Sequence, residues 1–206
     1  MAIKVNGTTV INDSRALTNI ASVDAATVTA LGNAGVGGGA TSLITDWTSI
    51  PASTTWTVSF PSGYDVISIF WQNMAISSSS SATDLVFRLG SETGNKYYYG
   101  RSNAASTSQN NRVPFGGGGG TGYSYPSYHQ GKLNIYWPRD GSRQTQFEIH
   151  NETFIDYGGG SYGPGYYNDQ NGFVQGNASH TSMYFYEYSG NSYASGGAYA
   201  VYGVNL

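Results

Sequence analysis

The chain predicts an all-β protein, a jelly-roll-like two-sheet β-sandwich preceded by a short N-terminal hairpin/helix attachment segment. Three observations carry this. After residue 39 the apolar residues recur with period two, in short runs bounded by Gly, Pro, Asn or Ser clusters. About eight such runs follow one another without a helix between them, as two packed sheets require. Charged residues make up only 10% of the 206 while aromatic residues reach 15%, so Tyr, Trp and Phe bring the buried area that a disordered chain lacks.

The elements follow in order. Residues 3–12 predict a hairpin, with Asn6-Gly7 at the bend between Ile3–Val5 and Thr8–Ile11. In "SVDAATVTALGNAG" Ser22 suits an N-cap, Asp24 suits the positive end of a helix dipole, and Gly32 or Gly35 ends the helix. Its apolar face, Val23, Ala26 or Thr27, Ala30 and Leu31, is thin, and neither hairpin nor helix is large enough to stand alone in water. "GVGGGA" at 35–40 is a flexible joint.

Residues 1–38 are therefore expected to be an attachment and oligomerisation segment. It would bury Ile3, Val5, Val10, Ile11 and Leu17 against another chain, although folding back onto the main domain stays open. Residues 39–206 are expected to form the sandwich. "TSLITDW" starts it, and "TTWTVSF" puts Trp56, Val58 and Phe60 on one face. "DVISIFWQNM" is apolar on both faces, as at a sheet centre. "DLVFRL" directs Leu85, Phe87 and Leu89 inward, and "GKLNIYW" directs Leu133, Ile135 and Trp137 inward. Asp140-Gly141 makes the next bend. "RQTQFEIHN" opposes Phe147 and Ile149 to Glu148 and His150, and "TSMYFYEY" and "AYAVYGVNL" finish the sandwich.

Composition excludes several classes of function. Net charge is −3 with Lys and Arg scattered, so no basic stripe exists for nucleic acid. The absence of Cys excludes disulfides and thiolate metal sites. Neither an apolar leader nor a spanning run is present, so synthesis in a cytoplasm without a signal peptide, and no membrane insertion, are expected.

Motifs for chemistry are also missing. His129, His150 and His180 have no metal-ligand spacing, and His150 reads as a surface or satisfied strand residue. "GGGGGTGY" lacks the Lys-Ser/Thr of a phosphate loop, and "NDQNG" at 168–172 lacks the acid spacing of a calcium loop. Asp156, Asp169 and Glu152 are the acids that a glycoside hydrolase would have to recruit, but they read as turn-formers. No catalytic residue, metal or cofactor is expected.

Binding is better supported. Residues 75–82, 102–130 and 155–180 read as long connections, and the last two are rich in Tyr, Gly, Ser and Asn. Tyr123, Tyr125, Tyr128, Tyr157, Tyr162, Tyr166 and Tyr167 are the expected binding residues, with Tyr97, Tyr98 and Tyr99 in the same class. Each offers a flat apolar face and a hydroxyl at low entropic cost, suited to a sugar ring. Packing against the sandwich or against sister subunits is the competing use of these rings.

The stretches "IKVNGTTVINDSRALTNI" and "VDAATVTALGNAGVGGG", then "ITDWTSIPASTTWTVSF", "DLVFRLGSETG" and the ending "AVYGVNL", resemble tail-fibre and other virion appendage proteins of marine phages, especially those infecting cyanobacteria. Trp47, Ile50 and Pro51 stand where such proteins have W-x-x-I-P ahead of the first core strand. The resemblance implies a structural, non-enzymatic protein of the virion, homotrimeric, joined to other virion proteins and touching a host cell-surface glycan. A capsid decoration protein (cement or head fibre) and a free carbohydrate-binding lectin are the alternatives.

Overall fold

The computed structural model describes residues 3–5, 8–11, 41–76, 85–90, 92–101, 108–116, 127–156, 162–187, 193–194 and 197–206. The chain divides into two compact units, residues 1–39 and 40–206. In the first, β1 (Ile3–Val5) pairs antiparallel with β2 (Thr8–Ile11), with Val5 opposite Thr8 and Ile3 opposite Ile11. These are the two strands of the expected hairpin. The expected helix and Leu17 lie outside the described residues.

The second unit holds β3 (Thr41–Ser49), β4 (Thr55–Ser59), β5 (Val66–Ile76), β6 (Leu85–Leu89), β7 (Tyr97–Arg101), β8 (Ser108–Asn110), β9 (Val113–Gly116) and β10 (Ser127–Tyr136). It continues with β11 (Gln146–Asp156), β12 (Tyr162–Val174), β13 (Ser182–Glu187), β14 (Tyr193–Ala194) and β15 (Ala198–Val204). No helix occurs among the described residues.

One sheet runs β3-β15-β5-β10-β11-β12-β7-β8 with β14 added to β5, and the other runs β4-β13-β6-β9. Count β3, β4, β5, β6, β9, β10, β13 and β15 from one to eight. They then stand 1-8-3-6 in the large sheet and 2-7-4-5 in the small one. That interleaving is the strand order of a jelly roll. The strands β11, β12, β7 and β8 continue the large sheet past β10.

Period-two patterning builds the core as expected. In β4 Trp56 and Val58 are buried between exposed threonines and Ser59, and Phe60 follows them inward. Trp56 lies flat on Phe185 of the paired β13, with ring centres 4.1 Å apart and planes within 8°. Phe87 of β6 meets Phe147 of β11 edge to face at 5.3 Å across the gap between the sheets. Contacts of this kind add to the stability already gained from burying the rings. Strand β5, apolar on both faces, is central in the large sheet, between β10 and β15.

Three expectations need correction. Trp137 does not continue the inward row of Leu133 and Ile135. The strand ends at Tyr136, Trp137 takes φ +52°, and its half-buried ring lies under the Arg143 guanidinium at 5.2 Å. The stretch 155–180 is not one long loop, since β12 occupies half of it, and 102–130 contains β8, β9 and the start of β10. The "NDQNG" residues are therefore strand, not a turn. Finally, Tyr97, Tyr98 and Tyr99 are not loop residues but form β7. Tyr97 and Tyr99 are buried in the core, and Tyr98 stacks on Phe173 at 5.0 Å. Burial holds the Tyr97 phenol well above its ordinary pKa, and its oxygen accepts the Leu89 N–H at 2.8 Å.

Candidate functional site

In the large sheet, alternate residues face away from the small sheet, and register aligns them in rows. Ser68, Asn134, Glu148 and Asn171 form one row across β5, β10, β11 and β12. Phe70, Lys132, His150 and Asp169 form the next, followed by Gln130, Glu152 and Tyr167. A protein sheet face open to water needs only polar residues here. This one also carries two aromatic rings, Phe70 and Tyr167, among its polar and charged residues.

The polar members are hydrogen-bonded to one another. The Ser68 hydroxyl donates to Asn134 Oδ1 at 2.8 Å, and Asn134 Nδ2 donates to Glu148 Oε2 at 3.3 Å. The Tyr136 hydroxyl reaches the same oxygen at 3.3 Å. His150 stands between two acids, with Nδ1 2.9 Å from Asp169 and Nε2 3.4 Å from Glu148. Gln130 Nε2 donates to Glu152 at 2.7 Å. The bond from Asn134, with help from His150 and Tyr136, holds the Glu148 carboxyl below its ordinary pKa against a smaller effect of burial.

The aromatic members leave ring surface open. Tyr167 is 76% exposed and Trp47 of β3 is 47% exposed. Phe70 meets Tyr202 of β15 edge to face at 5.5 Å. Two concavities follow this face. One, of 570 Å³, reaches from Trp47 and Phe70 over Lys132 and His150 to Tyr167 and Asp169. The other, of 380 Å³, lies over Ser68, Tyr202 and Val204. Trp47, Phe70 and Lys132 line both, so the two make one open groove across the strands.

The floor is set from inside the sandwich. Trp71 passes beside Gly131, where any Cβ would overlap the His150 carbonyl oxygen and lie 2.7 Å from the Trp71 ring. Glycine is needed there for close approach. Trp71 Nε1 donates to Asn151 Oδ1 at 3.1 Å, which turns the Asn151 amide N–H toward His129 Nδ1 at 3.4 Å. The Thr153 hydroxyl lies 3.1 Å from the same nitrogen. With donors on that side, Nδ1 is the acceptor and the imidazole is neutral; complete burial lowers its pKa to about 3.

The expected binding residues are distributed unevenly. Tyr167 is in the groove with its ring exposed, and Tyr128 is half-buried on β10. Tyr162 and Tyr166 belong to β12, while Tyr123, Tyr125 and Tyr157 lie outside the described residues. Of the attachment residues, Ile3 and Val5 are on β1, and Val10 and Ile11 are on β2. Sequence reasoning missed Trp47, Phe70, Gln130 and Lys132 as site residues. Gln130 and Lys132 stand in the polar phase of β10, opposite the core residues, but nothing in the period says that such a face is used; Phe70 is hidden in a strand that reads as apolar on both faces.

Among the described residues no group of three or more His, Cys, Asp or Glu could hold a metal ion, and no helix is long and apolar enough to cross a membrane. Comparison of the chain with protein-family models, with curated proteins and with solved structures finds no match.

Proposed function

We propose that residues 40–206 are the host-binding head of a bacteriophage virion appendage, and that the groove on the large sheet holds a cell-surface glycan. One observation carries the binding reading: exposed Trp47 and Tyr167 rings flank an open groove whose polar groups are already held in place by one another. A sugar offers the complement, an apolar ring face with hydroxyls around its edge. Rigid aromatic platforms and pre-positioned hydrogen-bonding groups bind with little ordering cost. Jelly rolls serve both capsids and lectins, so the architecture suits this use without assigning it.

The station on a virion rests on the sequence resemblance, and with it the homotrimer and the contact of residues 1–38 with other virion proteins. Catalysis is not part of this reading. Asp169 and Glu152, the acids that line the groove, are engaged by His150 and Gln130. The test is a glycan array with the full chain, together with adsorption of virus particles to cells. Trp47→Ala and Tyr167→Ala are each expected to weaken glycan binding by about tenfold or more, about 1.4 kcal/mol, while leaving the fold intact. Unchanged glycan binding and adsorption in both variants would instead favour a capsid decoration protein, whose exposed face contributes little to binding.

A further inference from the structure

We infer that the ligand of the groove is an acidic saccharide, one that places a single anionic group on Lys132. This rests on the glycan reading above and narrows its chemistry. Lys132 lies where the two concavities meet, between Phe70 and His150 in a cross-strand row. Its ammonium stands 5.6 Å from the centre of the Phe70 ring. Among the described residues it has no carboxylate partner.

The acids of the same face are in the opposite condition. Asp169 is taken by His150, Glu152 by Gln130, and Glu148 by Asn134, Tyr136 and His150. Of the ionic side chains in the groove, the lysine is the one without a hydrogen-bond or ion-pair partner among the described residues, and so the one with donors left for a ligand. A half-buried cation attracts an anion more strongly than a fully solvated one does, because less water screens the pair.

The acids also limit the answer. Asp169 and Glu152 carry negative charge within the same 570 Å³ concavity. A densely charged polyanion would meet repulsion there, whereas a mainly neutral chain with an isolated acidic sugar would not. An ammonium is a point charge without the planar fork of a guanidinium, so it accepts a carboxylate or a sulfate ester alike.

The experiment uses the full chain on matched oligosaccharide sets: hexuronate-bearing chains, the same chains after carboxyl reduction, singly sulfated counterparts, and a fully sulfated chain. The expected result is at least a tenfold preference for the singly charged members over the reduced ones, falling as salt is raised. Lys132→Met removes that preference, bringing acidic and reduced chains to equal binding, whereas Trp47→Ala weakens both kinds and leaves the preference. Comparable retention of the carboxylate and sulfate members supports the point-charge account, and retention of the carboxylate members alone supports a uronate.

Equal binding of reduced and acidic chains, an intact preference in Lys132→Met, or strongest binding of the fully sulfated chain overturns the inference while the glycan reading stands. Failure of every chain to bind overturns both.

Discussion

His129 shows how one buried side chain ties the site to the stability of the fold. Its ring projects from β10 into the interior, held by Asn151 and Thr153 of β11, and burial keeps it neutral down to about pH 3. In the unfolded chain the same imidazole takes a proton near its ordinary value of 6.5. Below that pH the unfolded state binds more protons than the folded one, so stability falls with acid until the folded-state value is reached. His180, also lowered chiefly by burial, acts in the same direction. Lowered carboxyls such as Glu148 act lower, since their contribution is lost only as pH drops through their folded values. The window from pH 6.5 to 5 therefore reports the histidines. We expect the urea midpoint to fall across it, His129 contributing about 1.4 kcal/mol per pH unit at most. His129→Gln should flatten the fall, and a wild-type midpoint constant from pH 7 to 5 would contradict the buried neutral imidazole. None of this was legible in "SYHQGK", because burial of a histidine depends on what lies across the sheet.

At the scale of elements, β12 explains why half of its neighbourhood reads as loop. Its stretch "YGPGYYNDQNGFV" has no apolar alternation. The residues that would face a core are amides, and they serve another strand. Gln170 Nε2 donates to the Pro114 carbonyl at 2.7 Å, and Asn168 Nδ2 donates to the Phe115 carbonyl at 3.1 Å. Both acceptors belong to β9, the outer strand of the small sheet. An uncovered edge invites pairing with other chains, and side-chain amides over it remove that opportunity. On its other side β12 lies close to β7, where a Cβ on Gly172 would overlap the Tyr98 carbonyl oxygen. Gln170→Ala deprives the Pro114 carbonyl of its donor and leaves a gap beside β9. A loss of about 1–3 kcal/mol is expected in denaturant unfolding, with greater aggregation on partial unfolding. Unchanged stability would show that β9 does not depend on this contact.

At the scale of the whole molecule, the eight jelly-roll strands pair across long sequence separations: the small sheet joins only when β13 enters between β4 and β6, and the large one only when β15 enters between β3 and β5. The second unit has its own core, centred on Trp56, Phe87, Phe147 and Phe185. Residues 40–206 are accordingly expected to fold alone. Sedimentation should find them monomeric while the full chain assembles through residues 1–39, as the small apolar hairpin suggests. Hydrogen exchange gives the opposing outcome: a monomeric full chain in which Ile3–Val5 and Thr8–Ile11 are strongly protected would end the assembly proposal.

The all-β class, the hairpin at 3–11 and the inward phases of β4, β6, β10 and β11 were determined by the sequence itself, because alternation is a local property that survives without knowledge of neighbours. The interleaved strand order, the burial of Tyr97 and Tyr99, and the groove were decided only in three dimensions. Phe70, Lys132, His150 and Asp169 come from four strands, and only register sets them side by side. A tyrosine in a Gly-rich stretch looks the same whether its ring fills a core or meets a ligand. What separates the two is the surface on the other side of the sheet, and no local pattern records it.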